Sequence, residues 1–195
     1  MGRIQNLEET VAVLDQRLLL VEGDEDEQDE SVNVTSQEKI ARKQARQIAI
    51  DKIQELYPDY FVGTASRSEG SGIKINKGDA LRPMIIKYYH SRVYRPGSGL
   101  ASQPGDYEHG WHIVRINEVV GSIYDLCIFS MCDTEGKWHF FLFTPDEIGI
   151  YNDENRVNRR NELWLYFSVQ GDTAYELRED KIDVTKHLNN WNVIG

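Results

Sequence analysis

Lys87 and His90 stand in a run that is otherwise apolar or aromatic, Pro83-Met84-Ile85-Ile86-Lys87-Tyr88-Tyr89-His90. Burying a cationic side chain among such neighbours is costly unless it is paired or opens on a cleft. In a strand, Ile85, Lys87 and Tyr89 share one face, and Met84, Ile86, Tyr88 and His90 share the other. Lys87 therefore sits at a cleft, or snorkels outward from a partly exposed sheet face. Beyond it, Tyr88, Tyr89, His90, Arg92, Tyr94 and Arg95 interleave rings with bases. That mixture suits phosphates and stacked bases. It equally suits a sheet edge with a polar rim.

Other chemistries find less support. No Gly-x-Ser-x-Gly nucleophile elbow and no Gly-x-x-x-x-Gly-Lys-Ser/Thr phosphate loop occurs, and the Ser-Glu-Gly-Ser-Gly stretch at 68–72 follows neither pattern. Cys127 falls inside an apolar run and reads as reduced core, and with Cys132 it makes neither a plausible disulfide nor a zinc site. His109 and His112 lack a third ligand at metal-binding spacing.

The elements that must position Lys87 are closely spaced strands. Further apolar runs occur at 111–116, 123–131 and 138–144, and residues 145–147 open a helix with Thr144 as cap and Pro145 at its first position. Long apolar runs mark strands buried on both faces, which predicts a central sheet covered by helices. Upstream, Thr35 and Glu38 have capping-box spacing, and Ala45, Ala49, Ile53 and Leu56 form an apolar stripe that Pro58 ends. Strands are expected at 60–65, 72–75, 163–169 and 174–177, long polar loops at 66–80, 94–110 and 152–161, and a short helix at 182–191.

Ile4, Leu7, Val11, Leu14, Leu18 and Val21 alternate in steps of three and four, the seam of a coiled coil. Three heptads need a partner, and a second copy of the chain, joined through residues 4–21, is the simplest one; packing on the chain's own domain is the alternative. Residues 23–31 carry six acids and read as a linker. The expected organisation is a coiled-coil helix at 1–22, an acidic linker at 23–34 and an α/β or α+β domain at 35–195. No apolar run is long enough to span a bilayer, and the two cysteines read as reduced, so a soluble cytoplasmic protein is expected.

The net charge of −10 conceals a division. Residues 1–31 carry −8, residues 32–96 carry +6, and residues 97–195 carry −8. A basic middle inside an acidic chain argues against indiscriminate coating of nucleic acid and permits one basic face. Arg42, Lys43 and Arg46, with Lys39, supply it on the first helix, and Arg92 and Arg95 come after the lysine strand. A solvated helix face is the plainer reading of the same charges.

The order of helix, strand, polar loop, lysine strand, tryptophan strand, Tyr-Asp strand, aromatic strand and Pro-Asp-Glu helix resembles the PD-(D/E)XK, or restriction-endonuclease-like, nuclease superfamily. The resemblance is one of pattern and spans roughly residues 35–191. It implies a central mixed sheet flanked by helices, and a site in which carboxylates hold Mg2+ while a lysine positions or activates the attacking water. Lys87 takes the place of that lysine. Asp79 or Glu69 takes the place of the first metal-binding acid. The second acid should stand two residues before the lysine, where this chain has Ile85. Glu108 is the substitute the resemblance suggests as a catalytic and metal-binding acid, if the next strand pairs beside Lys87.

Two functions are expected. The first is a nucleic-acid-binding, nuclease-like protein, with DNA rather than RNA as the expected partner, either as a divergent Mg2+-dependent endonuclease or as a catalytically degenerate relative. The second is a non-enzymatic oligomeric protein-interaction module.

Overall fold

The computed structural model describes residues 36–195 apart from 79, 96–106, 152–156 and 179–180, and the side chains of 36–40 are not described. The heptad, the acidic linker, Thr35 and Asp79 lie outside the described residues. Contacts divide the chain into two units, Met1–Ser36 and Gln37–Gly195, and the described strands belong to the second.

Helix α1 (Ser36–Leu56) buries Ala45, Ala49, Ile50 and Ile53. These positions repeat at three and four residues and put one stripe on the sheet. Leu56, expected in that stripe, is 43% exposed. Pro58 lies in the turn after the helix, and Tyr57 and Tyr60 stack there with centroids 5.1 Å apart.

Strands β1 (Phe61–Thr64), β2 (Ile73–Asn76) and β3 (Met84–Ser91) form an antiparallel meander. The chain then leaves this sheet for β4 (Val93–Tyr94), β5 (His109–Arg115) and the short helix α2 (Ile116–Val119). It returns as β6 (Leu126–Cys132), parallel to β3 with Lys87 beside Cys127, and β7 (Trp138–Phe143) closes that sheet. Its order is β1-β2-β3-β6-β7. Helix α3 (Pro145–Gly149) starts at a Thr144–Glu147 capping box. Strands β8 (Glu162–Gln170), β9 (Thr173–Glu176) and β10 (Ile182–Asp183) join β4 and β5 in an antiparallel sheet ordered β10-β9-β8-β5-β4.

Two cores result. One packs α1 and the chain end at Trp191 and Ile194 on Ile73, Ile75, Ile86, Ile128 and Leu142. The other fills the space between the sheets, with Cys127, Phe129, Phe141 and Phe143 facing Val114, Leu163, Leu165 and Phe167. The fold is α+β, and its first sheet is mixed.

The first sheet is buried on both faces as its apolar runs require, but a helix covers only one of them. A second sheet covers the other. An apolar run demands cover from both sides without specifying whether helix or sheet supplies it. The helix expected at 182–191 is instead β10 followed by two 3-10 turns, Thr185–His187 and Trp191–Ile194.

Candidate functional site

Lys87 points to the side of the first sheet that faces the second. Its side chain is 9% exposed. Its ammonium lies 3.9 Å from Glu118 Oε2, on α2, and 5.2 Å from the ring centroid of Tyr124. Glu118 also accepts from Arg115 at 3.2 Å. The lysine thus has a buried stem and a head at a rim where Glu118 is 44% exposed.

The rest of that rim is held by backbone geometry. The 3-10 turn Arg67–Glu69 ends in Gly70, whose φ of +91° suits glycine, and Tyr124 donates its hydroxyl to the Gly70 carbonyl. A Cβ on Gly70 would meet that hydroxyl at 2.9 Å. Gly72 is more constrained still: its φ is +98°, and a Cβ would lie 2.1 Å from the Ile86 carbonyl. Only glycine lets this turn lie against β3 beside Lys87.

Glu69 is held by the turn. It accepts from the Ser66 amide at 3.1 Å, from the Ser66 hydroxyl at 2.8 Å and from the Lys74 ammonium. The Lys74 hydrogen bond, with those from Ser66, holds the carboxyl down to about 2. Lys74 is opposite Ile85 in the β2–β3 register, so the two share the face of Lys87.

Asp125 fastens the start of β3. It accepts from the Ile85 amide at 2.9 Å and from Arg82 at 2.9 and 2.5 Å. Partial burial pushes its carboxyl up, and the Arg82 and Ile85 donors outweigh this and hold it below the usual range. Beside Lys87, burial pushes the Cys127 thiol up to about 12 despite the lysine's field, so it is no nucleophile.

Of the acids expected to hold Mg2+, Asp79 lies outside the described residues and Glu69 is held by Ser66 and Lys74. The ion needs several oxygens in near-octahedral array. Glu69 is bound to Lys74, Glu118 faces Lys87 and Arg115, and Ile85 contributes no oxygen. Among the described residues, no three His, Cys, Asp or Glu side chains cluster suitably for a metal.

Glu108 is not brought to Lys87. Both its oxygens accept from the Thr134 hydroxyl, at 2.8 and 3.0 Å, in the turn after β6. Lys87 sits beside Cys127, near the start of β6. The run from Cys127 to Cys132 alone spans roughly 16 Å at strand rise. The strand that comes after Glu108 belongs to the other sheet, which is why the expected pairing beside Lys87 does not occur. His109 and His112 point to opposite faces of β5 and share no site. His112 packs between Phe129 and Phe167, neither ring nitrogen has a partner, and burial, with a smaller push from His90, holds it down to about 3.

The basic residues singled out in the sequence lie on α1 and just beyond the end of β3. Arg42 and Arg46 are half-buried and Lys43 is exposed. Their helix lies over the face carrying Tyr88 and His90, which meet the Ser130 hydroxyl at 2.6 and 3.1 Å. Burial, then the Arg42 field, holds His90 down to about 4. Arg92 and Arg95 are exposed just beyond the end of β3, and the Arg92 guanidinium stands 4.9 Å from the Tyr94 ring.

Sequence reasoning missed Glu118, Tyr124, Asp125 and Lys74. Asp125 carried one signal, as the lone acid opening an apolar strand. No protein-family model, no curated protein and no solved structure matches the chain.

Proposed function

We propose that this chain is a nucleic-acid-binding protein with a divergent restriction-endonuclease-like domain that grips the phosphate backbone without cutting it. The observation that carries this reading is the company Lys87 keeps. On its own face the neighbouring strand positions hold Ile85 and Lys74, where a cutting site needs carboxylates. A mixed sheet with the lysine strand at its centre and a helix on one face supports the reading, while the tryptophan strand β5 lies in the other sheet. Arg42, Arg46, Arg92 and Arg95 supply a basic surface for backbone contacts to duplex DNA.

No helix among the described residues is long and apolar enough to cross a membrane, and a cytoplasmic protein fits the same reading. Residues 4–21 join two copies through their heptad seam, which doubles the number of phosphate contacts. Deleting residues 1–22 then halves the particle mass in light scattering and leaves the domain folded.

Fluorescence anisotropy with labelled duplex DNA tests the reading. Binding is expected to weaken steeply with salt, to weaken further in Arg42→Glu/Arg46→Glu, and to be indifferent to Mg2+. Mg2+-dependent cleavage lost in Lys87→Ala would make the site live. An absence of binding at low salt would favour the interaction module, for which exposed Phe61 (75%) on edge strand β1 is a candidate contact.

A further inference from the structure

The second sheet has one face on the inter-sheet core, so its other face should alternate polar residues toward water. It does not. Outward positions of β4, β5, β8 and β9 hold Tyr94, Trp111, Trp164 and Tyr175, all half-buried, around a fully buried Tyr166. Trp111 meets Trp164 edge-on at 5.4 Å and Tyr94 at 6.0 Å, so the rings run across strands as one row.

Cations stand over the rings of this row. The Arg92 guanidinium is 4.9 Å from the Tyr94 centroid, Arg178 is 5.8 Å from Trp164, and the Lys181 ammonium is 4.0 Å from Tyr175. The face also holds buried polar atoms that nothing among the described residues satisfies. The indole N–H groups of Trp111 and Trp164 have no acceptor, and His109 Nε2 has no partner. His109 Nδ1 lies 2.9 Å from the Tyr107 carbonyl and must donate to it, which leaves Nε2 a bare acceptor. Buried polar groups are normally paired, so a concentration of exceptions on one face points to a ligand.

We propose that this face is a platform for single-stranded nucleic acid. The ligand must offer π-faces to stack, hydrogen-bond donors and acceptors near those faces, and negative charge for the cations. Unstacked bases on a phosphate backbone offer all three, and sheets that present aromatics in this way stack bases with little sequence preference. A duplex hides its base faces and fits only the cations. This surface lies on the second sheet, shares Arg92 with the basic surface proposed above, and does not rest on the phosphate-gripping reading of Lys87 and Arg42.

Binding of a single-stranded dodecathymidylate and of a duplex of the same length, followed by tryptophan fluorescence and anisotropy, tests the proposal. The single strand is expected to bind the full-length protein at low salt and to quench its fluorescence. Trp164→Leu, checked for folding by thermal melting, should weaken that binding roughly tenfold. Lys181→Glu, at an exposed position, should weaken it and make it less sensitive to salt. Arg42→Glu/Arg46→Glu should weaken the duplex far more than the single strand. The proposal is overturned if the wild type does not bind the single strand, or if Trp164→Leu and Lys181→Glu both bind it normally. It is also overturned if a neutral oligosaccharide quenches the tryptophans and the oligonucleotide does not.

Discussion

The Asp125 carboxylate takes two hydrogen bonds from Arg82, at 2.5 and 2.9 Å, and a third from the Ile85 amide, at 2.9 Å. Its own amide donates to the Ile85 carbonyl at 2.8 Å. One residue thereby locks the start of the parallel β3–β6 pairing, on which the placement of Lys87 beside Cys127 depends.

Asp125→Ala should therefore destabilise the domain by about 1–3 kcal/mol, chiefly by leaving the Ile85 amide unpaired in a part-buried site. Arg82→Ala should cost less, because the guanidinium is exposed and its pair with Asp125 is screened by water. Urea denaturation of both variants checks the order. Equal losses would mean that the ion pair, not the clasp on Ile85, is the operative contact.

Stability should fall in mild acid. Burial holds His112 down to about 3 and His90 down to about 4. Above an unfolded-state pKa of about 6.5 both rings are neutral whether or not the chain is folded, and they contribute no pH dependence. Below that pH the unfolded chain takes up protons that the folded one refuses. Each ring then removes about 1.4 kcal/mol of stability per pH unit, until the pH reaches its folded value. His109 and His187 are also lowered by burial and act in the same direction. His112→Leu deletes two unpartnered nitrogens and should flatten the slope by about one proton. A melting temperature that depends on pH identically in wild type and variant would show that His112 is not held neutral.

How far the structure was legible in the sequence differs between elements. The strands of the first sheet were, because β6 is buried almost throughout and so reads as one apolar run. The layer covering it was not. In β8, Leu163, Leu165 and Phe167 face the core while Trp164 and Tyr166 face outward, so both faces are apolar and the period of two disappears. Lys87 was legible as a lone cation in an apolar run. Its partners were not, since Glu118 and Tyr124 come from the crossover that returns the chain to β6, and no local spacing encodes that return. Glu108 misled because a strand next in sequence was taken to be next in space, whereas β5 belongs to the other sheet.

The rim turn makes a sharper prediction. Gly72→Ala combines a positive φ with a Cβ that would lie 2.1 Å from the Ile86 carbonyl, and backbone cannot move aside as a side chain can. The cost should exceed the ~1 kcal/mol of a simple left-handed glycine replacement and reach roughly 3 kcal/mol. Gly136→Ala is the control: its φ is +84°, but nothing lies within 4 Å of the added atom. Similar melting temperatures for the two variants would mean that the turn does not press on β3.

Lys87 itself separates grip from stability. Lys87→Met keeps an unbranched stem of similar length along the inter-sheet face and removes the ammonium. Glu118 retains Arg115 at 3.2 Å, so the substitution does not strand a buried carboxylate. Breaking a buried pair is strongly destabilising only when a charge is left uncompensated. The variant should accordingly melt within a few degrees of wild type. If Lys87 reaches a phosphate at the rim, duplex DNA should bind several-fold more weakly, and the dependence of log K on log salt should become shallower by about 0.9. Single-strand binding, assigned to the second sheet, should not change. Unaltered duplex affinity and salt slope in a well-folded Lys87→Met would remove Lys87 from the interface and leave its pairing with Glu118 a purely structural contact.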